Sequence, residues 1–418
     1  MKNKRILYSI VFILALLIVC TLTLLLMKGN ISERYLRKGA ALLEQNNYNG
    51  ALDYFNRAVK WDKRSSFAYL GKGKAFYYMK NNDDALNNLQ ESVRIDSLVA
   101  ETHYFTGLVM IAEKKYNASI NDFSNAIYLD SLYTEAYYQR GLAKAHLSDF
   151  KGSIADYKSA IQLDKENIDA YLKSIEAKSA IEDYMGAIED YNALIENDPG
   201  NSEALYNRGF FKINLGDNNG AIEDFTRAIS NDKKMIKAYY QRGLCYARSK
   251  NNENAVKDFT VCIENNYELT EVYYARSVSY LKMNKLNEAK KDISKAIDID
   301  GKNAKNYNLY GIIMAYSHDY NASLNYFTQA IKLDNEYTEA YFHRGVSYAI
   351  MKKHSKALED FSNCIKIDSS YSEAYLNRGI AYVNLEYRSK ACRDFEKAQS
   401  LGYQDAGSYI RTYCTELK

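Results

Sequence analysis

The chain has 418 residues, 55 Lys+Arg against 52 Asp+Glu, and a net charge of +3. Such a balance gives no electrostatic footprint for nucleic acid, and no long basic run follows residue 5. A single proline and 40 tyrosines mark a chain with few breaks and many large amphipathic side chains.

Lys2, Lys4 and Arg5 precede an uncharged run from Ile6 to Met27. As a helix this run is roughly 33 Å long, enough to cross a hydrocarbon core of about 30 Å. No A-x-A-like cleavage site precedes Lys28, and Leu17-Ile18-Val19-Cys20 lacks the small residue expected before a lipidated cysteine. Residues 6–27 are therefore predicted to be an uncleaved transmembrane signal anchor. The short basic tail is expected in the cytoplasm, and the rest of the chain on the outer, periplasmic side of a bacterial cytoplasmic membrane. Residues 1–31 form tail, anchor and linker.

From Ser32 onward one pattern returns every 34 residues without insertion, giving units that start at 32, 66, 100, 134, 168, 202, 236, 270, 304, 338 and 372 and end at 405. Thr134 to Asp164 shows it best: two amphipathic helices joined by a short polar turn. A glycine recurs in the first helix, as Gly39, Gly107, Gly141, Gly243 and Gly345. Twelve residues later stands Ala or Ser, such as Ala51, Ser119 or Ala255, and four further on a large residue, such as Phe55, Phe123, Tyr157 or Phe259. Glycine inside a helix costs about 1 kcal/mol relative to alanine, so a glycine held in register needs a packing reason. Small residues let two helices approach, and the ring fills the space beside them.

The period, the glycine and the alanine–aromatic spacing resemble the tetratricopeptide repeat over residues 32–405. The resemblance implies an all-α, right-handed superhelical solenoid of eleven helix–turn–helix repeats that bury their apolar faces only by stacking. Proline, which often closes the family's unit, occurs only as Pro199; elsewhere a turn led by aspartate stands in its place, as at Asp62, Asp130 and Asp300. The fifth unit departs from the pattern, with Ile175 in place of glycine and Leu194 in place of a small residue. Residues 404–418 read as a capping helix with Ala406, Tyr409, Ile410 and Tyr413 on one face and Asp405, Ser408, Arg411 and Glu416 on the other.

Arginine precedes the glycine or its replacement in six units, at 140, 208, 242, 276, 344 and 378, and aspartate follows sixteen residues later in each. Antiparallel helices place the two face to face, which predicts a ladder of ion pairs inside the units. The six cysteines have no CxxC spacing; Cys262 and Cys364 stand at small core positions, and Cys245, Cys392 and Cys414 lack paired spacing. All are read as small thiols rather than metal or redox groups.

Neither GxSxG, HExxH nor a phosphate-binding glycine loop is present, and the five histidines are scattered. The chain is read as no enzyme, with no cofactor, no metal site and no small-molecule substrate. By the resemblance, a partner protein or peptide binds the concave face lined by first helices. The candidate groove residues are Tyr138, Gln139, Lys173, Tyr206, Asn207, Tyr240, Gln241, Tyr274, Phe342, His343 and Asn377. Amides donate to and accept from a peptide backbone, and tyrosine offers an apolar body with a polar tip. A co-chaperone-type carboxylate clamp is not supported, because Arg37 and Gly71 occupy its places in the first two units. The expected function is a membrane-anchored protein-interaction scaffold. The alternatives are a cytoplasm-facing receptor or co-chaperone-like docking protein, and the docking or regulatory subunit of an enzyme on another chain.

Overall fold

A computed structural model describes residues 2–414. They are all-helical, and from Ser32 on the helices come in antiparallel pairs. The chain divides into two compact units, residues 1–199 and 200–418, with the border at the sole proline, Pro199. The first unit holds five pairs, the fifth being Ile168–Ala180 with Tyr184–Asn197. The second holds six, from Ser202–Asn214 with Asn218–Asn231 to Ser372–Asn384 with Arg388–Ser400, and the cap Ala406–Tyr413.

Local chemistry sets each pair. The first helix ends in a residue with positive φ, for example Asn46 (58°), Ser148 (62°) and Gly216 (79°). This left-handed residue is the common way to end a helix and turn the chain. Several second helices then start on a side-chain cap, as where Asp149 accepts from the Gly152 N–H at 3.0 Å. The aspartate at its far end makes the next turn: Asp62, Asp130 and Asp300 each accept the N–H of the residue two places on, at 2.9, 3.0 and 3.1 Å. Asn266 departs from this series, as does Gly402 after the last pair. Asn266 has positive φ, as does Glu268 after it, and the turn there is irregular.

Within a pair, glycine and ring fit as the spacing predicts. A Cβ built on Gly141 would lie 2.6 Å from the Tyr157 ring, and one on Gly311 would lie 2.6 Å from Phe327. Real Cβ atoms do not approach so closely, so glycine is required for contact rather than for conformation. Phe123, Tyr157, Phe225, Phe259, Phe327, Phe361 and Phe395 are completely or almost completely buried. The larger Ile175 and Leu194 are also buried in the fifth pair.

Two expectations are corrected. Among the described residues no helix is long and apolar enough to cross a membrane, so the transmembrane signal anchor at 6–27 and the location on the outer, periplasmic side of a cytoplasmic membrane built on it do not stand. The helix that begins at Lys2 does not stop at Met27. It continues unbroken through Gly29 to Glu44, so the uncharged run is one end of the helix that carries Arg34, Arg37 and Lys38 into the first pair. The side chains of Lys2, Lys4, Arg5 and Cys20 lie outside the described set.

The second correction concerns cysteine. Cys392 and Cys414 form a disulfide, with their Cα atoms 5.7 Å apart. Their separation of 22 residues matches no motif. It is the fold that joins them, by turning the cap back onto the last helix. Tyr409 and Tyr413 lie 5.3 and 6.3 Å from the Phe395 ring, and Ala406 is buried. Glu416, expected on the cap's polar face, lies outside the described residues. Cys245, Cys262 and Cys364 are free and buried, and burial pushes their thiols up to about 11, 12 and 12. Thiols so far from ionisation at neutral pH are poor nucleophiles.

Candidate peptide-binding surface

The arginine ladder forms inside the pairs. Arg208, Arg242 and Arg378 each donate Nε and Nη2 to the two oxygens of Asp224, Asp258 and Asp394, at distances between 2.5 and 2.9 Å. Arg140–Asp156, Arg276–Asp292 and Arg344–Asp360 repeat the two-pronged geometry. A planar guanidinium matches a carboxylate in this way and lysine cannot. Asp190, without an arginine in its own pair, takes Lys178 at 2.7 Å.

The spacing did not reveal a second half of this wiring. The remaining arginine nitrogen reaches back one pair to a hydroxyl sixteen residues earlier. Arg140 donates to Ser124 (3.0 Å), Arg242 to Thr226 (3.1 Å), Arg276 to Thr260 (2.8 Å) and Arg344 to Thr328 (3.0 Å). Each of these four arginines therefore ties its own second helix to the one before it. In the ninth unit a tyrosine pair stands in the ladder places. Tyr310 stacks on Tyr326 with centroids 4.0 Å apart and accepts from Ser294 at 3.3 Å. Burial pushes Asp258 and Asp360 upward despite the arginine beside each. Despite burial, the same contacts hold Arg242 and Arg344 further in their charged form, through the hydrogen bonds they donate to Asp258 and Asp360.

With their charged ends fixed, the first helices turn another face outward. In the first unit, Tyr138 packs 6.0 Å from Tyr157, Gln139 is half-buried, and Lys173 is paired with Glu176 at 2.8 Å. Lys173 lines a cleft of about 210 Å³ with Leu142, His146 and Glu176. In the second unit Tyr206 lies 5.6 Å from Phe225 under the Lys237 ammonium, and Phe342 sits 5.1 Å from Tyr371. Asn207 and Gln241 are half-buried, and Asn377 donates to the Glu373 carbonyl of its own helix at 2.8 Å.

In the second unit three of the sequence-selected residues line clefts. Tyr240 and Tyr274 line one of about 480 Å³, together with Leu244, Ala247, Arg248, Glu271, Val278 and Lys305. His343 lines the next, of about 940 Å³, with Val278, Lys282, Leu309, Ile312, Val346 and Ile350. Its Nδ1 is 3.2 Å from the Asn308 amide oxygen, its ring stacks on Phe327, and burial lowers its pKa. The two clefts adjoin at Val278.

The floor of these clefts is a series that the sequence reading passed over. It is the residue directly after the glycine or its replacement: Leu244, Val278, Ile312 and Val346, with Ile380 next in register. In the first unit the same place holds Ala40, Lys74, Leu108, Leu142 and Glu176. The signal was a period of 34 in one aliphatic residue, hidden beside the more conspicuous glycine.

Two family models, both described as tetratricopeptide repeat, match the chain. One fits residues 32–65, 134–167, 236–268, 270–303, 338–371 and 372–401, and the other residues 191–223; together they span more than half of it. No curated protein matches. Among solved structures, the APC/C hetero-tetramer Cut9–Hcn1 is 11% identical with a TM-score of 0.46, covering 91% of this chain and 96% of that one. Yeast Tom70 is 13% identical with a TM-score of 0.46, covering 93% and 97%. YrrB, described as a TPR protein with an unusual peptide-binding site, is 20% identical with a TM-score of 0.39, covering 44% and 95%. On the repeat matches, the chain belongs to the tetratricopeptide repeat family.

Proposed function

We propose that this protein is a non-catalytic interaction scaffold that holds an extended segment of a partner protein along the first helices of its second unit. The observation that carries this reading is the pair of adjoining clefts with a continuous aliphatic floor, Leu244, Val278, Ile312 and Val346. Ligand clefts are largely apolar, with a few polar groups that orient the guest. Here Tyr240, Tyr274 and His343 are the polar-tipped groups beside that floor. Of the wider sequence-selected set, Tyr206, Asn207, Gln241, Phe342 and Asn377 belong to the same unit as this floor, whereas Tyr138, Gln139 and Lys173 belong to the first unit.

The test starts from a photo-reactive residue at 278 or 312 and, for comparison, at 108 or 142. A partner cross-linked at the first pair is identified by mass spectrometry, purified, and its affinity measured against Val278→Arg. Circular dichroism confirms that the variant is folded. Loss of binding supports the groove. Unchanged affinity, or equal cross-linking from 108 and 142, removes it.

A further inference from the structure

We propose, resting on the groove reading above, that the segment held there is acidic: aliphatic side chains alternate in it with carboxylates. The argument is one of charge. Arg248, Lys282 and Lys305 all line the clefts and all are exposed, whereas Glu271 is the only carboxylate in the lining of either. Among the described residues none of these three cations forms an ion pair. Other cations of the same helices are engaged: Lys237 with Glu203 at 2.6 Å, and Arg242 and Arg276 in the ladder.

Register sharpens the point. Arg248 and Lys282 stand four residues beyond Leu244 and Val278, so each lies one turn along the same face. They close their helices, where a cation also suits the helix dipole. Lys305 has no such explanation. It sits in the first turn of Ala304–Tyr316, where the dipole disfavours positive charge. The equivalent place holds Glu135, Asp169, Glu203, Glu271, Glu339 and Glu373 elsewhere. Lys237, the other lysine at that place, closes on Glu203 one pair earlier. Lys305 is related to Glu271 by the same step, yet the two form no ion pair and both line the open cleft. A cation placed against the dipole and left without a partner is suited to an anion from outside.

An extended chain turns successive side chains to opposite sides. Apolar groups would meet the floor while the intervening carboxylates reach the rim. Four neighbouring first helices at roughly 10 Å spacing span roughly 30 Å, or roughly nine extended residues.

The experiment uses the full chain and three fluorescein-labelled peptides of about twelve residues, alternating Leu–Glu, Leu–Lys and Ser–Glu, read by fluorescence anisotropy. Leu–Glu is expected to bind about tenfold more tightly than either other peptide, since a few rim contacts of modest strength sum to that ratio. In the double variant R248E/K282E, folded by circular dichroism, the preference should turn toward Leu–Lys. Equal binding of Leu–Glu and Leu–Lys, or preference for Leu–Lys by the parent protein, overturns the acidic assignment and leaves the groove standing. Equal binding of Ser–Glu overturns the alternation with aliphatic residues. If none of the three binds, the groove reading and this proposal both fail.

Discussion

The two units use the same interior and present different surfaces. Both bury rings against glycine, and both carry the arginine–aspartate pair. They part at one residue per repeat. After the glycine or its replacement the first unit places Lys74 and Glu176 among its aliphatics, whereas the second runs Phe210, Leu244, Val278, Ile312, Val346 and Ile380. Charges in the first unit close on each other, Lys74 on Glu101 at 2.6 Å and Lys173 on Glu176 at 2.8 Å, and its clefts are about 320 and 210 Å³. In the second, the clefts are about 480 and 940 Å³ and their cations stay open. The ladder therefore fixes the fold without dictating the groove, and the two can be altered separately.

The largest expected effect falls on the shared interior. Asp258→Ala leaves Arg242 partly buried without its carboxylate, and breaking such a pair should cost about 3 kcal/mol in thermal or urea unfolding. Peptide binding by the folded fraction should hold, which separates ladder from groove. A loss below 1 kcal/mol would show that the pair is not what holds these helices.

Next comes the end of the second unit. Replacing Cys392 by serine should destabilise the cap by about 2 kcal/mol, the lower range for a disulfide. Hydrogen exchange should quicken in residues 406–413 and stay unchanged in 134–146. Unaltered exchange in the cap would mean that Tyr409 and Tyr413 on Phe395 suffice to hold it.

The first unit contains a ladder place that is half empty. Asp122 stands where the ladder aspartate belongs, with Thr106 where arginine would be, and burial raises its pKa to about 6, with His103 as a weak opposing charge. A carboxyl raised in the folded state favours folding while protonated. Its contribution is therefore present below pH 4 and is lost as pH rises through about 6. Asp122→Asn should add about 1 kcal/mol at pH 7, allowing for solvent screening, and nothing below pH 4. Unfolding midpoints at pH 4 and 7 decide it; a pH-independent difference would contradict the assignment.

The smallest effect should come from the links between pairs. Thr260→Val removes the hydroxyl that receives Arg276 and should cost about 0.5 kcal/mol. Thr226→Val should do the same at Arg242. No change in either would assign the register to ring packing alone.

Much of this was legible in one dimension, because a repeat writes the same physical demand eleven times. Glycine opposite a ring and arginine sixteen residues before aspartate are each a contact within one pair, so a fixed offset betrays them. Contacts between pairs were harder. The Ser124 and Thr226 hydroxyls lie sixteen residues before their arginines, beyond the pair in which the ladder was sought. The Cys392–Cys414 bond depends on where the cap folds back, which no spacing encodes. The uncharged run at 6–27 has the length of a membrane span, but it is one end of a helix that continues to Glu44. In the groove, tyrosines and amides drew attention by type. Tyr138 and Tyr206 pack against Tyr157 and Phe225, as Tyr240 does against Phe259, and the plain aliphatics after the glycines line the clefts.

The most direct measurement is hydrogen–deuterium exchange of the full chain with and without a saturating Leu–Glu peptide. The account predicts slower exchange in the first helices Ile236–Arg248, Leu269–Lys282, Ala304–Tyr316 and Thr338–Ile350, and no change in Thr134–His146 or Ile168–Ala180. Protection confined to the first unit, or spread evenly over both, would contradict it.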